Sequence, residues 1–93
     1  MTTTPTLSAQ ILQTLTQALA PLQISVDDDS HLHAGHAGAR EGGHYTVRLC
    51  SARFTGLSRV ARHRLVYDSL GGLMRQGIHA LAIEARAPDE PCA

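Results

Sequence analysis

One stretch of the 93-residue chain, FTGLSRVARHRLVYDSLGGLMRQGIHALAIEA at Phe54–Ala85, constrains the fold more than any other. It begins with a turn and continues into a helix that Ser58 can cap and that we expect to run to about Gln76. Gly77 then breaks the helix before a further strand. Because a helix connects the strand before this stretch to the strand within it, those two strands can lie parallel.

The clearest core stripe of this helix is expected at Val66, Leu70, Leu73 and Met74, and Val60 and Ala61 are expected to cover its first turn. Gly71 and Gly72 interrupt the pattern, and each costs ~1 kcal/mol relative to Ala inside a helix. Either close packing at this point or an early end of the helix would account for the pair.

The chain before this stretch predicts one helix and two strands. Ser8 can cap the helix, and Pro21 ends it because proline lacks a backbone donor and clashes with the preceding turn. Two alternating patterns each indicate a half-buried strand: Leu22, Ile24 and Val26, then Tyr45, Val47 and Leu49. The order is αββαβ, an α+β domain over residues 7–88 with both helices on one face of a three-stranded mixed sheet. Residues 1–6 and 89–93 are expected to form flexible tails.

Composition narrows the range of functions and cellular locations that the chain is expected to have. The eight basic residues, all Arg, balance eight acidic ones, whereas nucleic-acid binders usually carry a basic excess. Cys50 and Cys92 lie far apart and form no CxxC motif, so we expect reduced thiols. The first residues carry no positive charge, and no apolar run approaches membrane-spanning length, so a cytoplasmic protein without membrane contact is expected.

Histidines are the main candidates for chemistry. His31, His33 and His36 lie in an unpatterned segment between the first two strands, and His79 begins the third strand. Imidazole binds Zn, Cu, Fe and Ni and can replace Cys on one iron of a [2Fe–2S] cluster. The alternative is that the loop histidines are solvated polar residues. A complete iron–sulfur site within one molecule is not expected, because the pattern supplies no thiolates. A small His-site metalloenzyme is a further possibility, which a metal assay on the isolated monomer would test.

A second cluster, Arg59, Arg62, His63 and Arg64, lies on the main helix. It could contact an anion, a partner or a nucleic acid. Alternatively, His63 is held by hydrogen bonds while the arginines are solvated or paired with carboxylates. The chain has no GxSxG setting and no recognisable cysteine nucleophile, so catalysis is not expected.

Several motifs together resemble the BolA family: Asp28-Asp29-Ser30 with a following His, then HY, FTG, RHRLVY and HALA, in that order over nearly the whole chain. The resemblance implies a fold similar to class II KH domains. It also implies a partnership with monothiol (CGFS-type) glutaredoxins, in which a [2Fe–2S] cluster bridges the two proteins. In such complexes the glutaredoxin cysteine and glutathione bind one side of the cluster, and BolA histidines bind the other.

By motif position, the resemblance implies His79 as one ligand and His33 as the other, with His31 and His36 as alternatives in the loop. The expected function is that of an adaptor in iron–sulfur trafficking or iron sensing, monomeric alone and heterodimeric with glutaredoxin. The Arg-rich start of the helix would dock the partner or glutathione carboxylates. The alternative function is a DNA-binding transcriptional regulator that uses the KH-like fold.

Overall fold

The computed structural model describes residues 6–29 and 43–91, and of His79 it describes the backbone alone. The described elements follow the predicted order: α1 (Leu7–Leu19), β1 (Gln23–Asp28), β2 (Gly43–Cys50), α2 (Arg59–Leu70) and β3 (Ile78–Arg86). Short 3-10 turns at Ala52–Phe54 and Gly71–Arg75 lie on either side of α2. The α+β fold predicted from the sequence is confirmed.

The sheet has the order β1-β2-β3, with β1 antiparallel and β3 parallel to the central strand β2. Tyr45, Val47 and Leu49 of β2 are buried in one core together with apolar residues of both helices. The two helices also pack against each other, α1 over β1 and α2 over β3. Both helices therefore cover the same face of a mixed sheet, as predicted.

The first helix begins earlier than its sequence indicated. Thr6, and not Ser8, is the N-cap, and its hydroxyl accepts a hydrogen bond from the N–H of Ala9 at 3.2 Å. The cap satisfies one of the backbone donors that every helix start leaves without an intrahelical acceptor. Three residues at helical spacing then enter the core: Ile11, Leu15 and Leu19.

Pro21 sets the end of α1 through the residue before it. Ala20 adopts the left-handed conformation (φ 44°) and closes the helix with its N–H on Thr16. A following proline disfavours the right-handed helical conformation at Ala20. The prediction that Leu22 belongs to a half-buried strand is wrong, because β1 begins at Gln23 and Leu22 is 70% exposed.

The second helix confirms one prediction and corrects two. Ser58 is its N-cap, accepting the N–H of Ala61 at 3.1 Å, and Val66 and Leu70 are buried. Val60 does not cover the core; it is 60% exposed.

The helix ends at Leu70, not near Gln76, and the chain continues as a 3-10 turn. Gly71 (φ 52°) ends the helix, and a Cβ built on Gly71 or Gly72 would meet no atom within 4 Å. Close packing therefore explains neither glycine, whereas the early helix end explains Gly71.

Ser51 is the buried polar side chain of the described core, with no exposed surface. Its hydroxyl donates to the carbonyl of Leu19 at 2.7 Å and accepts from the N–H of Arg53 at 3.1 Å. Ser51 thus joins the end of α1 to the 3-10 turn that places Phe54, also fully buried, in the core.

Cys50 ends β2 and is 3% exposed. It is disulfide-bonded, so the expectation of reduced thiols is wrong for this residue. Cys92 lies outside the described residues. No helix in the described parts of the chain is both long and apolar enough to cross a membrane.

Candidate metal-binding site

His79 occupies a bulge at the start of β3. Gly43 of β2 pairs with Ile78, whereas the next residue, His44, pairs with Ala80, so His79 is the extra residue between the two pairs. A bulge bends its strand and re-aims a side chain, and bulges are frequent beside functional sites. His79 therefore holds a backbone position that regular pairing would not provide.

Both ends of the histidine-rich segment lie beside this bulge. Asp29, the last described residue before the segment, donates its N–H to the carbonyl of His44 at 2.7 Å. Gly43, the first described residue after it, donates to the carbonyl of Gly77 at 2.6 Å. The loop candidates themselves lie outside the described residues: His31, His33 and His36. The segment that carries them thus starts and ends at the edge of the sheet where His79 lies.

His44 is a residue at this edge to which the sequence analysis gave no role. It is half-buried and lies on the strand next to His79, and neighbouring strands are about 4.8 Å apart. The signal that could have found it was available. Both histidines stand at the start of strands predicted to be parallel, and the starts of parallel neighbours meet at one edge.

The described residues at this edge offer few metal donors. The carboxylate of Asp29 already accepts a hydrogen bond from Thr46 at 2.5 Å. Within residues 6–29 and 43–91, no group of three or more His, Cys, Asp and Glu could hold a metal ion. Two imidazoles can bind one iron of a [2Fe–2S] cluster, and His44 and His79 are residues of this type on neighbouring strands.

Arg62, a predicted contact residue, is hydrogen-bonded to other parts of the same chain. Its guanidinium forms a two-point ion pair with Glu90, at 2.6 Å (Nη1–Oε1) and 3.0 Å (Nη2–Oε2). It also donates to the carbonyls of Leu57 (2.9 Å) and Ala85 (3.1 Å), and the Arg62 side chain is only 13% exposed. The hydrogen bonds from Arg62 and from the N–H of Ala87 lower the pKa of Glu90 to about 2. Arg62 thus joins α2, β3 and the C-terminal turn.

The other predicted contact residues on α2 are more accessible. Arg59 and Arg64 are exposed, and His63 is half-buried. Because β2 and β3 are parallel, α2 returns antiparallel to them, and its first turn lies near Ala85 while its end leads back to His79. The structure therefore does not bring the start of α2 together with the histidine edge.

The sheet face opposite the helices carries a second arginine with acidic partners. Arg48, in the central strand, contacts Asp27 of β1 at 2.7 Å and Glu84 of β3 at 2.6 Å. All three side chains are about half exposed, and ion pairs of this kind contribute little to stability. The carboxylate of Glu84 is therefore already paired with the guanidinium of Arg48.

A family model described as BolA-like protein matches residues 15–90. The chain belongs to the BolA family. The match spans most of the chain and confirms the resemblance indicated by the RHRLVY and HALA motifs.

Curated relatives and solved structures agree with the family. The chain is 42% identical over 88 residues to an uncharacterized Sinorhizobium protein in the cobS 5′ region, covering 91% of this chain and 95% of that protein. It is 40% identical over 80 residues to mouse BolA-like protein 1, covering 86% of this chain and 57% of the mouse protein. The BolA domain of SufE1 from Arabidopsis thaliana superposes with a TM-score of 0.82 at 39% identity, covering 96% of this chain and all (100%) of that domain.

These relatives differ in length. This chain spans nearly the whole Sinorhizobium protein, but 24% of the Arabidopsis SufE-like protein 1 and a little over half of mouse BolA-like protein 1. A BolA domain can thus stand within a longer chain.

Proposed function

We propose that this BolA protein is a non-enzymatic adaptor that binds a monothiol (CGFS-type) glutaredoxin and shares a bridging [2Fe–2S] cluster with it, in iron–sulfur trafficking or iron sensing. The observation that carries the proposal is the meeting of His79, His44 and both ends of the histidine-rich segment at one edge of the sheet. Family membership and the likeness to the BolA domain of a SufE-like protein support a role in iron–sulfur biology.

In this proposal His79 is the first ligand, and the histidine-rich segment supplies the second. His33 is four residues beyond Asp29, and four residues of extended chain span at most ~14 Å. That reach exceeds the ~10 Å from β1 across β2 to β3, so His33 can approach His79. His31 and His36 remain alternatives in the same segment. His44 joins them as a further candidate, because its strand position already places it next to the bulge.

The ligand type supports transfer over storage. The glutaredoxin cysteine and glutathione would supply the thiolates of the bridging cluster, and this chain would supply neutral imidazoles. Imidazole is protonated near pH ~6.5 and then cannot bind metal. A cluster held on one side by histidines is therefore released more readily than one held by thiolates throughout. The protein itself would turn over no substrate.

The structure refines which cations could contact the partner. Arg62 is occupied by Glu90, so Arg59 and Arg64 remain the exposed cations of the predicted cluster. Arg86 lies at the end of β3 that is close to the start of α2. At ~3.3 Å per residue along the strand, this end is roughly 23 Å from His79. A glutathione bound at the histidine edge would therefore lie beyond reach of Arg59. Arg75, at the end of the 3-10 turn before His79, is an exposed cation placed closer to that edge.

Cluster reconstitution with a monothiol glutaredoxin and glutathione tests the proposal. The visible circular dichroism of the glutaredoxin cluster is recorded with the wild-type protein and with single His→Ala variants, and EPR of the reduced form reports nitrogen ligation. The variants are His79→Ala, His44→Ala, His31→Ala, His33→Ala and His36→Ala. His63→Ala is the matched control, because it removes an imidazole from α2 and leaves the histidine edge unchanged.

We expect the wild type and His63→Ala to change the spectrum alike, and His79→Ala to leave it as in glutaredoxin alone. The loop variant or His44→Ala that abolishes the nitrogen signal identifies the second ligand. A wild-type protein that leaves the glutaredoxin spectrum unchanged would refute the cluster-sharing function.

The alternative, DNA binding, loses one of its three predicted arginines to the internal pair with Glu90. A gel-shift titration over a range of salt concentrations tests it. A DNA-binding protein would lose slope in the salt dependence when Arg59 and Arg64 are replaced by Gln.

A further inference from the structure

A cleft lies between the first turns of α2 and the end of β3, away from the histidine edge. Its volume is about 460 Å³, and it is lined by Leu57, Arg59, Arg62, His63, Ile83, Glu84, Ala85, Arg86 and Glu90. Three guanidinium groups and one imidazole border this space. Three arginines around one cleft favour an anionic occupant.

The two carboxylates of the cleft leave two of its three arginines without an acidic partner among the described residues. Glu90 is taken up by Arg62, and Glu84 is paired with Arg48 on the open face of the sheet. Arg86 lies near enough to Glu90 to help lower its pKa, but within the described residues neither Arg86 nor Arg59 forms an ion pair with an acid. The positive charge of Arg59 and Arg86 is therefore available to a ligand.

The start of α2 adds to this charge. Ser58 accepts the N–H of Ala61 with its side chain and that of Arg62 with its carbonyl. The N–H groups of Arg59 and Val60 precede the first intrahelical bond, and such groups carry the positive end of the helix dipole. The start of α2 therefore adds positive potential on the side of the cleft that Leu57 and Arg59 line.

Glu90 shows which ligand chemistry the cleft accepts. Its carboxylate binds Arg62 through both oxygens, and one of these also accepts the N–H of Ala87 at 2.8 Å. The cleft thus already holds one carboxylate, supplied by the chain itself, while Arg59 and Arg86 form no ion pair with an acid in the described parts of the chain.

We propose that this cleft is a binding site for the oxyanion group, carboxylate or phosphate, of a small ligand, held by the side chains of Arg59 and Arg86. The site is independent of the proposed cluster function, because β3 separates Arg86 from His79 by roughly 23 Å. An anion in this cleft and a cluster at the histidine edge could be bound at the same time.

The experiment is an amide NMR titration of the isolated, cluster-free protein. Inorganic phosphate and succinate are added in separate series at constant ionic strength, with sodium chloride as the reference salt. We expect saturable shifts confined to residues 57–63 and 83–90. Saturation by phosphate alone, or by succinate alone, identifies the oxyanion class, and saturation by both identifies a general oxyanion site.

Two variants decide whether the cleft is responsible. Arg59→Gln with Arg86→Gln should weaken binding roughly tenfold, the effect of two exposed charge contacts. Arg53→Gln with Arg75→Gln removes the same charge from exposed positions outside the cleft and should leave the affinity unchanged. All four side chains are exposed, so both variants should fold, and Arg59→Gln alone serves as a milder test.

Shifts no larger than those with chloride would overturn the proposal. An equal loss of affinity in both double variants would do the same, because it would show that net charge and not the cleft attracts the anion. Neither result depends on whether glutaredoxin binds, so this test and the cluster test can fail separately.

Discussion

Replacing Ser51 by Ala should lower the free energy of unfolding more than replacing Ser58 or Ser69 by Ala. The hydroxyl has no exposed surface and bridges two elements, donating to the carbonyl of Leu19 and accepting from the N–H of Arg53. Leu19 is the last residue of α1, so no backbone N–H within the helix donates a hydrogen bond to its carbonyl. Ser51→Ala removes the donor and leaves that carbonyl buried without it.

The magnitude follows from the two contacts. A buried acceptor left without its partner costs about 1–3 kcal/mol, and a lost cap on a turn costs about 1 kcal/mol. The free energy of unfolding should therefore fall by about 2–4 kcal/mol. A chain of this length has a total stability of roughly 5–14 kcal/mol. At about 4–8 °C per kcal/mol, the melting temperature should fall by roughly 8–32 °C.

Chemical denaturation of a matched serine series measures the effect. Ser58→Ala removes an exposed cap of α2 and should cost about 1 kcal/mol. Ser69→Ala removes a hydroxyl that bonds back to the carbonyl of Leu65 in its own helix, and it should be neutral or slightly stabilising. Each variant deletes the same oxygen, so the ranking reports the surroundings.

An unchanged dependence of the unfolding free energy on denaturant is required for the comparison. If Ser51→Ala then costs no more than Ser58→Ala, the hydroxyl is not the link between α1 and the turn before α2, and the reasoning fails.

Three further predictions concern the edges of the fold. The pKa of Glu90 in the folded protein is about 2, below its ordinary 4.5, so the stabilisation by the Glu90 carboxylate is complete above about pH 4.5 and is lost as the pH falls through about 2. Glu90→Gln should remove this part of the acid dependence of the melting temperature. An unaltered pH dependence in the variant would contradict the ion pair with Arg62. Reducing the Cys50 disulfide should lower the unfolding free energy by about 2–4 kcal/mol, and peptide mapping of the unreduced protein identifies the partner thiol; equal stability with and without reductant would count against the cross-link. Gly77→Ala should lower the free energy of unfolding by about 1–3 kcal/mol, because Gly77 has φ 118°, whereas Gly72→Ala should not change it. Equal melting temperatures of the two variants would show that the backbone at Gly77 does not require glycine.

Short-range patterns in the sequence correctly predicted the order of elements. The alternation of Tyr45, Val47 and Leu49 marked the central strand, and Ser58 marked the start of α2. These features depend on neighbours within a few positions, because strand alternation and helix caps are local geometry. The same patterns failed for Leu22 and Val60, whose apolar side chains are exposed. Periodicity shows which side of an element is apolar, but not whether another element covers it.

The candidate site was predicted in part. The sequence named His79 and the histidine-rich segment, and the order of strands allowed them to meet. The partnership of His44 with the bulge depends on the register of β2 and β3, in which a shift of one residue would change every neighbour. No spacing along the chain encodes that register.

The sequence by itself determined the composition of each element, the family and the residue types able to bind metal. The tertiary structure alone decided the roles of the arginines. Arg62, which lies between Arg59 and Arg64 on α2, has a side chain that is only 13% exposed because folding brings Glu90 and the carbonyl of Ala85 to it. Among residues 6–29 and 43–91, Arg59 has no such acid, and its side chain is exposed. A charged side chain is buried only where its partners converge, and those partners come from parts of the chain that are close only after folding.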